Sequence, residues 1–314
     1  MPRIKILFLG ASRLVSLLQR FQDAACDLNI ALTMYTFEDK NVWHPVGVCG
    51  LATVIHAPPF EHDAFDDFIL NFVSRESIDI VIPNIDKATV RIAELSVSLA
   101  DLGAKAICSN FQVCDRMFDK MLADKVFRDL EFDVPDSKKF PLLAKPRFGR
   151  SSKGIVKLND KEELEFWRKR NDPTDFLIQE FVKGIEYSID AYITDNGKIL
   201  GIVPRKREII SDGEVLVSIT ENVPEAKDIV QKLTNWEKWL GPITIQIIAD
   251  GKKSWIIECN PRFGSGIPLS IEAGLNIPLW ILQEKLGLGL PSDMLIPKPG
   301  LCMTRFKQEK FLWL

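Results

Sequence analysis

The sequence predicts an α/β domain followed by α+β lobes, and three observations lead there. Almost wholly apolar short runs alternate with amphipathic stretches over the first third of the chain. A longer helical stretch with interleaved charge follows, and beyond it apolar segments flank turn dipeptides in pairs. Residues 4–9 are nearly all apolar, which suits a parallel strand buried on both faces, and Gly10-Ala11-Ser12 then opens a helical pattern through residue 23. Further apolar runs at 31–37, 52–57, 78–83 and 104–109, with helix-like stretches at 62–75 and 87–101, imply a small doubly wound sheet. The turn Gly10-Ala11-Ser12-Arg13 lacks the G-x-G-x-x-G spacing and no convincing ribose acid follows, so it reads as a structural strand-to-helix turn.

Residues 114–132 read as one helix, stopped by Val134-Pro135-Asp136-Ser137. Strand-like runs at 141–145 and 154–158, a helix at 160–170 with Asp160 at its N-cap, and a strand at 176–181 come next. The remainder is sheet-rich. Residues 188–193 and 198–203 flank the turn Asp195-Asn196-Gly197, 243–249 and 255–259 flank Asp250-Gly251, and 301–314 read as a final strand. Three segments result: an N-terminal domain at 1–112, a central lobe at 113–178 and a C-terminal lobe at 179–314.

Composition removes several functions. With 314 residues, 46% hydrophobic, 26% charged and a net charge of -3, the chain has core enough for two to three domains and no basic footprint for nucleic acid. The six cysteines form no C-x-x-C pair and the three histidines stand clear of them, which argues against zinc. Their dispersed positions read as reduced, buried thiols of a cytoplasmic protein. The apolar run near the N-terminus is too short for a signal segment or membrane span.

The most informative stretch runs from Ile243 to Ile248 and from Trp255 to Arg262. Strand alternation puts Glu258 and Asn260 on one face and Cys259 on the other. If the hairpin closes with Ala249 opposite Trp255, Gln246 lies opposite Glu258, and three oxygen donors cluster where a hard cation could sit. Arg262, after Pro261, adds a group that reads oxyanions. The alternative is an ordinary polar hairpin face. Lys145 ends a strand before the loop Pro146 to Gly154, whose glycines, serines and amides can surround a polyphosphate, although no Walker spacing is present. The segment Gln179 to Tyr187 places Glu180 at a strand end and Glu186 after a glycine; read alone it is a solvated β-edge.

These segments, with Lys120, resemble the ATP-grasp superfamily, and most nearly the synthetase half of the carbamoyl phosphate synthetase large subunit. The resemblance spans about residues 1–285 and implies an ATP-grasp fold behind an N-terminal Rossmann-like domain. It implies that Lys120 and Lys145 contact phosphates, and that Ser151, Ser152 and Gly154 lie in the loop closing over them. Glu180, Phe181 and Val182 would read the adenine edge, and Glu186 would hold the ribose. Gln246, Glu258 and Asn260 would bind Mg2+ or Mn2+, with Arg262 at the transferred phosphoryl group. Arg205, in the basic run Arg205-Lys206-Arg207, would approach a substrate phosphate or carboxylate; a charged surface hairpin is the other reading.

The implied activity is an ATP-dependent carboxylate-amine ligase passing through an acyl phosphate, with small-molecule carboxylate and amine substrates. Two alternatives stand beside it: phosphorylation of bicarbonate or carbamate in the manner of carbamoyl phosphate synthetase, and a non-catalytic ATP-binding regulatory protein. No nucleic acid or membrane partner is expected, and a homodimer is the assembly entertained.

Overall fold

The computed structural model describes residues 1–38, 44–149, 153–211 and 213–311. Its first sheet grows from β1 (Arg3–Leu9), followed by α1 (Val15–Asp27), β2 (Ala31–Glu38), α2 (Pro45–Val48) and β3 (Thr53–His56) on one side. On the other side run α3 (Ala64–Glu76), β4 (Ile80–Pro83), α4 (Asp86–Glu94), α5 (Ser96–Asp101) and β5 (Lys105–Ala106). The strands are all parallel in the order β3-β2-β1-β4-β5, so the chain reverses its winding at the β1/β4 crevice. Ile6, Leu7, Phe8 and Leu9 are fully buried between two helix layers, the reason this strand shows no polar alternation.

The chain leaves this sheet through α6 (Phe111–Phe118) and α7 (Lys120–Asp129), which replace the single helix expected over 114–132. Asp119 breaks the run. Its backbone is extended and its carboxylate accepts the N–H groups of Met121 and Leu122, capping a new helix that begins at Lys120. A three-stranded antiparallel sheet follows, made of β6 (Leu142–Pro146), β7 (Val156–Leu158) and β8 (Phe176–Glu180), in the order β7-β6-β8. Between its strands α8 (Lys161–Arg168) packs Leu164 and Trp167 onto the sheet, and Asp160 caps it as the spacing predicts. Position 178, the expected lobe boundary, falls inside β8.

The third sheet contains β9 (Ile185–Ile193), β10 (Ile199–Ser211), β11 (Glu214–Thr220), β12 (Gly241–Ala249), β13 (Ser254–Asn260) and β14 (Cys302–Thr304). Its order is β13-β12-β9-β10-β11-β14, antiparallel throughout. The helix α9 (Ala226–Trp236) covers one face together with α6 and α7, burying Ile189, Ile243, Ile245 and Cys259 among Val126, Val230 and Leu233. The opposite face is apolar at one end, where Tyr192 and Val203 join a core shared with β1, α1, α10 (Ile267–Glu272) and α11 (Ile277–Lys285). Its other end is polar.

Several expectations need correction. The stretch 87–101 is two helices meeting at Leu95; among the described residues the final strand is only Cys302–Thr304, with Phe306 and Phe311 beyond it exposed, and positions 312–314 lie outside the described residues. Cys26, Cys49 and Cys302 are exposed, not buried, although all six cysteines are free thiols. No helix among the described residues is long and apolar enough to cross a membrane, and no cluster of His, Cys, Asp and Glu among them forms a metal cage.

Candidate active site

Antiparallel register builds the site on the polar face of the six-stranded sheet. Glu258 pairs with Gln246, Gln246 with Ser188, Ser188 with Arg205, and Arg205 with Thr220, a single row across five strands. One row over, Asn260 pairs with Thr244 and Thr244 with Asp190. The Gln246–Glu258 pair is the one expected, but the turn is not: Ala249 faces Ser254 and Trp255 faces Ile248. A bulge between Gln246 and Ile247 absorbs an extra residue, Ile257, and restores the register at the oxygen donors. Cys259 points into the core, where burial pushes its thiol well above the usual range.

Lys145 approaches this face from β6. Its side chain is buried, and its ammonium donates to Gln179 Oε1 at 3.0 Å. Gln179 Nε2 in turn donates to Asp124 Oδ1 at 2.7 Å, and Asp124 Oδ2 accepts Arg128 Nε at 2.7 Å. Burial lowers the Lys145 pKa; Glu258 pulls it up, and Lys120 pushes it down further. Lys120 opens α7, with its Nζ donating to Gly149 O at 2.9 Å. Asp119 also holds Arg147 Nε at 2.7 Å, so the cap that starts this helix fastens the strand-end loop as well.

The remaining expected residues lie on neighbouring strands and loops. Glu180 is fixed to Asp136, whose N–H donates to Glu180 Oε1 at 3.3 Å, and the Phe181 N–H donates to Pro141 O at 2.7 Å. Val182 is half-buried beside them, Glu186 is exposed on β9, and Gly154 follows the loop with φ +77°, a conformation suited to glycine. Ser151 and Ser152 lie outside the described residues. Lys120, Asp124, Gln179, Glu258 and Asn260, with Asp86 from the N-terminal domain, line one small cavity; Lys145, Gln246 and Arg262 are not among its lining residues.

Arg262 joins two domains. Its Nε donates to Asp86 Oδ1, its Nη1 to Phe263 O at 3.1 Å and its Nη2 to Asn260 Oδ1 at 3.2 Å. Burial opposes its charge, but Asp86 and Glu258 outweigh that and raise its pKa. Arg205 is buried deeper, with Nε on Asp190 Oδ2 at 2.8 Å, and Asp190 also accepts the hydroxyls of Thr244 and Ser270. Sequence reasoning singled out neither Gln179 nor Asp190. Their strand alternation with Leu177 and with Ser188 was readable, but their partners were not, because those lie on other elements.

A Rossmann-like sheet feeding two lobes, with a cavity lined by Lys120 and by an oxygen-bearing hairpin, is the arrangement of ATP-grasp proteins. Sequence and fold comparisons together support an ATP-grasp superfamily member. The family described as ATP-grasp in the biosynthetic pathway with Ter operon matches residues 172–308. A D-alanine–D-alanine ligase of Petrotoga mobilis is 25% identical over 214 residues, covering 62% of this chain and 68% of that protein. A carbamoyl phosphate synthase large chain of Clostridium botulinum is 25% identical over 252 residues; 71% of this chain matches only 23% of the synthase. Among solved structures, N5-carboxyaminoimidazole synthetase of Staphylococcus aureus superposes with TM-score 0.71 at 16% identity, covering 94% of this chain and 80% of that one. The biotin carboxylase domain of Hydrogenobacter thermophilus 2-oxoglutarate carboxylase, solved with MgADP and bicarbonate, gives 0.71 at 17% identity, covering 92% and 71%.

Proposed function

We propose that this chain is an ATP-dependent ligase that activates a carboxylate as an acyl phosphate and joins it to an amine, releasing ADP and phosphate. The observation that carries the reading is one sheet face on which Gln246, Glu258 and Asn260 stand together beside Arg262, with Glu258 and Asn260 sharing a cavity with Lys120 and with Gln179, the residue that holds Lys145. The donor set fits magnesium: one carboxylate and two amide oxygens are all hard ligands, and their low charge leaves room for substrate phosphates. Bound there, magnesium or manganese would supply positive charge to the phosphate oxygens.

The chain's own groups do the rest by position and charge. Lys145 stays desolvated against Gln179, itself a wall of the cavity, so its charge is little screened. Lys120 sits at the N-terminus of α7, where helix dipole and ammonium both favour anions. Glu180 to Val182 and Glu186 would take the base and ribose, as their placement at the end of β8 and start of β9 allows. Arg262, charged and held by Asp86, would stabilise the moving phosphoryl group, after which the amine attacks the acyl carbon and phosphate departs. No protein nucleophile is needed.

The glutamine at position 246 and the likeness to carbamoyl phosphate synthases favour a second reading, phosphorylation of bicarbonate. One screen separates the readings: magnesium-dependent ADP release over amino acids, small amines and bicarbonate. Release that requires both a carboxylate and an amine supports the ligase; release with bicarbonate alone supports the second reading. Tight ATP binding with no ADP across the panel refutes both and leaves a regulatory ATP-binding protein. Light scattering tests the homodimer.

A further inference from the structure

Beyond Asp190, the polar face buries guanidinium N–H groups that find no hydrogen-bond acceptor among the described residues. Arg205, Arg207 and Arg305 gather between the β10–β11 hairpin and the loop after Arg262. Arg205 and Arg207 share one face of β10, opposite Thr220 and Ser218 of β11. Arg305 follows β14 and reaches across, its Nη2 donating to Ser265 O, while the Arg205 guanidinium lies directly against Gly266. The Arg207 and Arg305 side chains both converge on Gly213 and Glu214.

Their partners are few. The hydrogen bonds of Asp190 go to Arg205 and two hydroxyls, so it reaches Arg207 only through its charge. The Arg207 side chain is only 9% exposed, yet its closest carboxylate, Glu186, stands 3.6 Å away and is 47% exposed. Its Nη2 contact to Gly213 O is 3.5 Å, at the outer limit of a hydrogen bond. Arg305 meets Glu214 at 3.5 Å, an acid 60% exposed. Among the described residues, Arg207 Nε and Arg205 Nη1 are buried with no hydrogen-bond partner. Burial drives the Arg207 and Arg305 pKa values down; Glu186 and Glu214 respectively oppose this, and the like charge of Arg205 adds a smaller push downward in both. A buried cation without a full complement of acceptors is costly, and a bidentate oxyanion is the group that guanidinium forks satisfy.

We propose that Arg207 and Arg305 hold a second anionic group of the substrate, a carboxylate or a phosphate, distinct from the carboxylate that is phosphorylated beside Glu258 and Arg262. The substrate is thus at least a dianion. Neutral amides and simple monocarboxylates lack the group this site reads. The proposal rests on the ligase reading above, in which the phosphoryl end of the site is at Glu258.

The test uses the full chain saturated with magnesium and a non-hydrolysable imido analogue of ATP, so that the γ-phosphate position is already filled. Acetate, succinate and inorganic phosphate are then titrated by calorimetry. Succinate or phosphate binds saturably, at least tenfold tighter than acetate, and which of them binds tells a carboxylate site from a phosphate site. Arg305→Met and Arg207→Met each weaken that binding at least tenfold. Arg305→Met, at a side chain 29% exposed, keeps the test available should the more buried Arg207 variant not fold. No saturable binding of either dianion to the wild-type complex, acetate binding equally well, or an unchanged Arg305→Met variant overturns the proposal. Failure of the wild-type chain to bind the nucleotide analogue instead refutes the ligase reading itself.

Discussion

Replacing Gln179 with leucine separates a positioned Lys145 from a merely present one. The amide is 2% exposed and bridges the Lys145 ammonium to Asp124, so leucine, of similar size, removes two hydrogen bonds and opens little cavity. A hydrogen bond to a charged group contributes about 1.5–3 kcal/mol, and burial of Lys145 leaves little solvent to replace its acceptor. Asp124 keeps Arg128 and is 13% exposed, so its loss lies at the low end, about 1 kcal/mol. Together the variant should lose about 2–4 kcal/mol of stability. Nucleotide binding should weaken by about tenfold, or about 1.4 kcal/mol, because the ammonium is no longer held toward the phosphates. Burial already lowers the Lys145 pKa; removing an acceptor disfavours the charged form further, so affinity on the alkaline side should fail at lower pH in the variant than in the parent. Gln179→Glu returns an acceptor to Lys145 but sets a second carboxylate against Asp124, and should recover only part of the affinity. Calorimetry of MgADP binding across pH, with urea unfolding followed by circular dichroism, measures both effects. Parent-like affinity and an unchanged unfolding midpoint in Gln179→Leu would refute the reasoning.

Other expectations follow from single contacts. Glu258→Ala removes the only carboxylate of the proposed metal site and should cut magnesium-dependent ADP release by at least about a hundredfold, with an unchanged circular dichroism spectrum; turnover at the parent rate means the metal assignment is wrong. In Gly266→Ala the new Cβ would lie 2.2 Å from Arg205 Nη1, whose guanidinium Asp190 holds in place. That overpacking should cost about 1–3 kcal/mol, read as a lower melting temperature; an unaltered melt shows that Arg205 yields freely. Tyr187 is pushed up to about 12 by burial and its hydrogen bond to Glu221, and burial raises Tyr35 and Tyr192 too, with Glu76 and Glu284 adding to it. A folded pKa above the unfolded value stabilises fully below about pH 10 and is lost as pH rises toward 12 and beyond. Absorbance at 295 nm should therefore show these three phenols ionising later in the folded than in the urea-unfolded chain, and coincident curves refute the burial.

Much of this architecture follows from local pattern. Unbroken apolar runs mark parallel strands, Asp160 marks a helix start, and Asp195-Asn196-Gly197 marks a hairpin, since each depends on a few neighbouring residues. Register arithmetic reached the Gln246–Glu258 pair through a turn it placed one residue off, and the bulge at Ile257 compensated. The break at Asp119 was hidden because the flanking residues are good helix formers, and only the competing cap and the Arg147 ion pair end the first helix. The strand Glu214–Thr220 and the helix Ala226–Trp236 were missed for a related reason: their identity depends on the sheet they complete or cover.

The kinds of residue at the site, lysines at element ends and oxygen donors on alternating strand positions, were determined by the sequence alone, because periodicity and spacing act over short range. Who meets whom was decided by the tertiary structure. Asp86 reaches Arg262 across 176 positions, and Arg205 finds Asp190 only because β9 and β10 lie side by side. Burial then sets what each charge does: the same guanidinium is a solvated surface group on an open hairpin and, once packing strips it of water, the ion-pair partner of a buried carboxylate, as Arg205 is of Asp190.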